Sequence, residues 1–492
     1  MKRHSTILAI GITAAWLAGA ACATAPFTPA WVFPREGRIA PVASSPTVYG
    51  NVVYVAADDG VLYALHATGP AAGSLLPNFP IPLDGAVKGR PAVYGNLGRE
   101  RVYVATVAGT LYAFNLDGTP AWNGPQRVCP GVPIVSTPAV RGNYVYVTAT
   151  NGRIIRRNAV DGSPAGGLTY GRVVQTTLSG RQSPPPAQAY LEVADARGLF
   201  SAGRIVVERS DISQRLEFTY SGVNTAVRPH RLLNVVPVGS GTPQLALPAG
   251  SRVIGYGPGA SASASPAVPG QEDSTLVIAA LDNDMSASRP GFGRNLIALK
   301  SEPYGLVPQW EATYGARITA APTVDHNTGD LFIATWNAAA SPSRGGRLYC
   351  LHASNGQPAW TGDGSIALNG GILRAGPWLD RVQRVLYFGT TDGRLYGVNM
   401  ADGSPAFRPT PLDGRAASFE ATPLVVGGLV YIGSHSGRLY AVPWDHPEAY
   451  AVFASPVAAS FDGSPSASGS TPGKDVIVVG SSAGQILAFP IL

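Results

Sequence analysis

An all-β chain assembled from a recurring unit is what this sequence predicts, and three observations carry the prediction. The first is composition. With 59 glycines and 43 prolines among 492 residues, and only 13% charged residues, the chain is expected to hold many short strands joined by tight turns. The second is a repeated phrase, a proline-headed strand followed by two β-rich strands around a glycine turn. The third is its spacing. Marker prolines stand at Pro46, Pro91, Pro138, Pro266, Pro322, Pro377, Pro423 and Pro465, separated by 45, 47, 128, 56, 55, 46 and 42 residues. Apart from the one long gap, this is the length of a four-stranded propeller blade, roughly 40–55 residues. The expected architecture is an eight-bladed β-propeller of four-stranded antiparallel blades.

Residues 1–25 have the form of a signal peptide. Lys2, Arg3 and His4 form a charged end, Ile7 to Leu17 an apolar core, and "AGAACATA" a run of small residues. The protein is therefore expected to be exported, to the periplasm, the outer membrane or the extracellular space. Cys22 is a lipidation candidate, although Gly19 stands where a lipobox has leucine; ordinary cleavage between Ala20 and Ala25 is the competing expectation.

Residues 28–167 hold the first three units and a short N-terminal segment. The units read "SSPTVYGNVVYVAADDGVLYALHATG" from Ser44, "GRPAVYGNLGRERVYVATVAGTLYAFNLDGTPAW" from Gly89 and "STPAVRGNYVYVTATNGRIIRRNAVDGSPAG" from Ser136. Runs such as "VVYVAA" and "VLYAL" suit a half-buried pleated surface, and their Asp-Gly or Asn-Gly turns suit tight hairpins. Each marker proline sits early in its first strand, where a missing N–H is tolerated. The small residues beside it suit strands crowded around an axis. Closing aromatics at Trp122, Trp310, Trp360 and Phe407 are expected on outer strands, filling the wedge between neighbouring blades.

Residues 168–262 break the pattern. Segments such as "AYLEVADARG", "GRIVVERSD" and "QRLEFTYSG" alternate better than they repeat, which predicts a small β insertion between the third and fourth blades; a degenerate ninth blade is the competing reading. Long insertions in repeat proteins tend to carry partner contacts. Residues 263–492 return to the repeat, and the last unit stops after its third strand. The phrase "TPAW" at 28–31 is the missing piece, so Trp31 is expected to begin the outermost strand of the final blade and clasp the ring shut.

The phrases "DGVLYALHATG", "GTLYAFNLDGTPAW", "GRLYCLHASNGQPAW" and "GRLYGVNMADGSPAF" resemble the pyrroloquinoline-quinone (PQQ)-type β-propeller repeat. That resemblance implies the propeller fold. For function it implies one of two things: a quinoprotein dehydrogenase with PQQ on calcium, or a non-catalytic propeller of the BamB-like branch, found in the outer-membrane assembly machinery. The three cysteines are scattered and no CxxCH haem motif is present, so the non-catalytic branch is expected. The expectation is a scaffold with no cofactor that binds envelope or extracellular proteins, as a monomer or as part of a complex. A PQQ- and calcium-dependent oxidoreductase is the alternative and a carbohydrate-active propeller enzyme the second.

Other chemistry receives less support. Formal charge is +6, with no basic run or aromatic-studded basic stripe, so nucleic acid is not an expected partner; the membrane is reached only through a lipid anchor. His66 and His352 share one repeat position with Asn115, Asn158 and Asn399, which reads as a polar turn slot rather than a metal site. Asp282, Asn283 and Asp284 form a weak calcium candidate without the 12-residue ligand pattern. Asp325, Asn327 and Asp330 read as a hairpin turn. Cys129 and Cys350 are expected as buried single thiols.

Overall fold

The computed structural model describes residues 28–95, 99–150, 153–165, 172–183, 190–197, 199, 203–211, 215–237, 246–257, 276–280, 296–302, 305–312, 314, 316–336, 345–369, 371–412 and 417–492. Strands, turns and loops account for all of them, with no helix among the described residues. The strands join as consecutive antiparallel sheets, each hydrogen-bonded largely in chain order. The first holds Thr47–Tyr49, Val52–Ala56, Val61–His66 and Ile81–Pro82, and the second Ala92–Tyr94, Arg101–Ala105, Thr110–Asn115 and Gln126–Arg127. Ala139–Arg141, Tyr144–Thr148 and Ile154–Asn158 form the third. Beyond residue 263 the same meander returns, clearest in Trp378–Asp380, Val385–Gly389, Arg394–Asn399 and Pro405–Pro411.

The expected half-buried surface is found to be buried on both faces. Val53, Tyr54, Val55 and Ala56 are all buried, as are Leu62 through Leu65. Each middle strand lies between the sheets before and after its own, so both faces lose water and the strand reads as a near-continuous apolar run. Shared cores record the order: Tyr54 and Leu62 of the first sheet pack with Val102 and Phe114 of the second, and Tyr103 and Trp122 of the second with Val145 and Ile155 of the third. Phe332 and Cys350 pack with Phe388 and Val398 of the sheet that follows theirs.

The chain ends close the last sheet. Trp31–Phe33 pairs antiparallel with the last strand, Trp31 opposite Ala488, Val32 opposite Leu487 and Phe33 opposite Ile486. The sheet order is then Trp31–Phe33, Gln485–Pro490, Val476–Ser481, Ser466–Ala467. Its core is shared with the first sheet through Val478, Ile486, Val53 and Leu65. The N-terminal strand thus supplies an outer edge that the C-terminal unit lacks.

Around the axis the innermost strands are tied by a hydroxyl ladder. The amide before one marker proline donates to the hydroxyl before the next: Arg90 N to Thr137 Oγ1 at 3.0 Å, Thr422 N to Ser464 Oγ at 3.0 Å, and Ser464 N to Ser45 Oγ at 2.8 Å. A residue preceding proline is held extended, which aims its N–H sideways at the neighbouring sheet. Close approach also explains the small residues here: a Cβ on Gly463 would meet Ser44 O at 3.1 Å.

The 172–257 segment builds its own sheets. Arg172–Thr177, Arg252–Gly257, Gly203–Glu208, Arg215–Tyr220 and Val236–Pro237 form one in that order, and Tyr190–Val193, His230–Leu233 and Gly222–Asn224 another. Leu191, Val193, Ile205, Val207, Phe218, Leu232 and Val253 form a core drawn wholly from this segment. Tyr190–Val193 and His230–Leu233 alternate half-buried with buried residues, the period-2 signature of strands covered on one face. The ring continues across the gap in sequence, for Tyr146 Oη lies 2.8 Å from Ser301 Oγ. Arg156, fully buried, donates from Nη1 to the same Ser301 Oγ at 2.7 Å and from Nε to Ala165 O at 2.6 Å, and its guanidinium lies 4.3 Å from the Tyr144 ring centre.

Candidate functional site

The joints between sheets set how rigid any surface site is. Trp31 Nε1 donates to Ala67 O at 2.9 Å, Trp122 Nε1 to Ala159 O at 3.1 Å, Trp310 Nε1 to Ala353 O at 2.8 Å and Trp360 Nε1 to Met400 O at 2.9 Å. Each acceptor lies on the following sheet, just after the strand that ends in the shared His or Asn position. Each indole also lies against the glycine of the turn beyond. A Cβ on Gly162 would stand 2.8 Å from Trp122, on Gly356 2.7 Å from Trp310 and on Gly403 2.9 Å from Trp360. Phe407 differs. It has no N–H to donate, pairs across from Gly397 of its own sheet, and stacks on Tyr387 with ring centres 6.3 Å apart. Phe79, which the sequence reading passed over, fills the corresponding place after the first sheet, its ring 2.8 Å from a Cβ built on Gly118. Its signal was a lone aromatic in "PNFP", without the tryptophan of the other units.

At one end of the axis, turns between the first and second strands of several sheets surround a cavity of about 480 Å³. Arg141, His326 and Arg381 stand at its rim, with Trp378, Val140 and Leu379 among its apolar walls. Asp325 is 2% exposed and fully engaged: it accepts from Arg381 Nε at 2.9 Å, from Asn327 N at 3.1 Å and from Thr328 Oγ1 at 3.3 Å. The expected hairpin residues Asp325 and Asn327 therefore cap their own turn and also anchor a neighbouring arginine. Burial first, then the charges of Arg141 and Arg381, hold the His326 imidazole below its usual pKa, against the opposing charge of Asp325.

The opposite end carries acidic turns bonded to hydroxyls. Asp84 accepts from Thr106 Oγ1 at 2.7 Å and Thr110 Oγ1 at 2.5 Å. Asp462 takes Ser460 Oγ at 2.6 Å and lies 2.9 Å from His435 Nδ1. That contact lifts the His435 pKa above its usual value, the hydrogen bond first and the Asp462 charge second. A second concavity, of about 580 Å³, lies at the outer rim between Arg394, Phe407 and Arg408 on one sheet and Asp445 and Glu448 on the next.

His66 and His352 sit at the ends of equivalent strands on separate sheets, and His352 Nδ1 lies 3.6 Å from Asp330 Oδ1. Cys129 and Cys350 are buried thiols on different sheets. Cys22 and the Asp282, Asn283 and Asp284 loop lie outside the described residues. Among the described residues no three His, Cys, Asp or Glu side chains converge as metal donors.

Comparison with curated protein sequences gives no match. Solved structures similar to the chain include BamB from Moraxella catarrhalis, 12% identical with a TM-score of 0.53 over 94% of this chain and 100% of that one. The quinohemoprotein alcohol dehydrogenase from Comamonas testosteroni is 13% identical, with a TM-score of 0.54 over 94% and 76%. Saccharomyces cerevisiae Sqt1 is 8% identical, with a TM-score of 0.54 over 95% and 100%. At such identities the likeness carries the propeller fold alone. The family described as outer membrane protein assembly factor BamB matches residues 39–200 and 261–490. Its first part reaches past residue 168 into the segment read as an insertion, where Arg172–Thr177 and Tyr190–Val193 instead join the separate sheets. With both repeat segments matched, most of its length, the chain belongs to the BamB family of PQQ-type β-propellers.

Proposed function

We propose that the protein is an exported, non-catalytic propeller that binds other proteins of the bacterial cell envelope, with the 168–262 insertion carrying its specificity. The family match over both repeat segments carries this reading. Two features support it. The joints between sheets make a rigid ring, and rigid scaffolds hold binding surfaces at low entropic cost. The insertion has a core of its own, so its outward residues are free to diverge without disturbing the ring.

The test is affinity capture from envelope extracts with the full chain and with a variant lacking residues 168–262. The expected result is a set of envelope proteins retained by the full chain and depleted from the variant. Equal sets from both would refute the placing of specificity. Quinone absorbance and alcohol-dependent dye reduction after adding PQQ and calcium would refute the non-catalytic reading.

A further inference from the structure

Phe407 leaves one joint of the ring open. In four other joints an indole N–H donates to the carbonyl of the residue just after the third strand of the next sheet, namely Ala67, Ala159, Ala353 and Met400. After the first sheet, where Phe79 takes the place of a tryptophan, Tyr54 Oη donates to the equivalent Leu116 O at 2.8 Å. The joint after Pro405–Pro411 has neither bond. Its equivalent carbonyl is that of Trp444, directly after the strand Arg438–Pro443. Its equivalent tyrosine is Tyr387, the third residue of its strand as Tyr54 is of its own. Among the described residues Trp444 O accepts no hydrogen bond, and Tyr387, 1% exposed, makes none through Oη.

The outer groove of about 580 Å³ stands at this joint, lined by Phe407 on one sheet and by Asp445, Pro447 and Glu448 on the next. Pro447 lies four residues past its strand end, as Gly162, Gly356 and Gly403 lie past theirs, and those glycines are the ones that tryptophans rest on. The groove thus occupies the place where other joints hold an indole. Its lip is acidic on balance. The Asp445 and Glu448 side chains are 53% and 73% exposed, and among the described residues they pair only with His446, at 4.0 and 3.5 Å. Arg394 is held by Asp392 and by Pro409 O, each at 3.2 Å, which leaves Arg408 against two carboxylates.

Tryptophan is the side chain most often found anchoring an interface in such a pocket, and an unmet carbonyl suits its N–H. We propose that this groove docks a tryptophan of a partner protein, on an extended segment with a lysine or arginine beside it. The indole lies against Phe407 and Pro447 with its N–H at Trp444 O, and the basic side chain lies at Asp445 and Glu448. Prolines at 405, 409 and 411 withhold N–H groups from the neighbouring edge, so side chains hold the segment and no strand is added. The groove is a second contact surface for the scaffold. None of its lining residues belongs to 168–262, so failure here leaves the reading of the insertion standing.

The probe is a fluorescein-labelled, C-terminally amidated peptide KTPAWK, read by fluorescence polarisation on the full chain. Its core is the phrase TPAW, which fills two of the other joints. KTPAAK is expected to bind about tenfold or more weaker, having lost the anchor. KTPAWK built with 1-methyltryptophan keeps the ring, loses the donor, and should bind about threefold or more weaker. ETPAWE should also bind about threefold or more weaker at low salt, the difference shrinking as salt is raised. Asp445→Asn combined with Glu448→Gln, both on exposed side chains, should erase that difference. No binding of KTPAWK at millimolar chain concentration would overturn the proposal. So would equal binding of KTPAAK or of the methylated peptide, or a preference for KTPAWK over ETPAWE that survives the double variant.

Discussion

Gly162, Gly356 and Gly403 all have positive φ and all lie under a tryptophan from the preceding sheet. Each therefore answers to two constraints, a left-handed backbone and a contact plane that admits no Cβ. Gly69, at φ 83° with nothing within 4 Å, answers only to the first. Gly403→Ala is expected to cost about 2–4 kcal/mol, adding overpacking to left-handed strain, and Gly69→Ala about 1–2 kcal/mol. Urea midpoints of the two variants measure the difference; equal shifts would remove the docking plane as a cause. His435 offers a pH-dependent case. Its pKa is raised in the folded chain by Asp462, so the stabilisation is complete below the ordinary value of about 6.5 and fades as pH rises through the folded value. Asp462→Asn should return the His435 titration toward its ordinary range by NMR, and lower the melting temperature more at about pH 5.5 than at about pH 8.5. Some residues were unreadable without partners. Arg156 occupies the slot that holds Ala64, Ala113 and Ala441 in other units, and nothing local says that a buried cation is accepted there. Ser301, 145 residues away, and the Tyr144 ring make it tolerable.

Among elements, the strand Trp31–Phe33 has the largest consequence for its length. It covers the last strand, Gln485–Pro490, and sends Trp31 Nε1 across to Ala67 O of the first sheet. Without it, a hydrogen-bonding edge of six residues would face solvent, and such edges recruit other chains. A variant starting at residue 38 is expected to melt several degrees lower, on the order of a few kcal/mol lost, and to elute as dimers and larger species by light scattering. A monomer of unchanged stability would contradict this. The strand was legible because a closing phrase stood at the wrong end of the chain, and a circular repeat has one place for it. The outer strand Pro405–Pro411 was less legible. Its prolines at 405, 409 and 411 withhold N–H groups and guard the edge, while Phe407 turns onto its own sheet instead of the next.

At the scale of the molecule there are two cores under different rules. Ring sheets share their cores with their neighbours, so loosening one joint loosens the next. The 172–257 segment keeps its core to itself. Phe218→Ala, at a fully buried position, should cost about 3–5 kcal/mol and raise amide hydrogen exchange within 172–257 alone. Phe489→Ala, packed on both Phe453 and Phe461, should raise exchange in the sheets at 424–454 and 466–490 together. Exchange that spreads from Phe218 into the ring would show the two cores to be one cooperative unit.

The sequence by itself determined the strand content, the repeat and the closing strand. These depend on local periodicity, turn chemistry and counting, which a single chain displays along its length. Only the tertiary structure decided which tryptophan rests on which glycine, that the middle strands are buried on both faces, and that Arg141, His326 and Arg381 meet at one mouth of the axis. Those residues lie in units separated by the insertion or by a full repeat. Their encounter follows from the closing of the ring, and no local pattern records where a circular arrangement brings distant turns together.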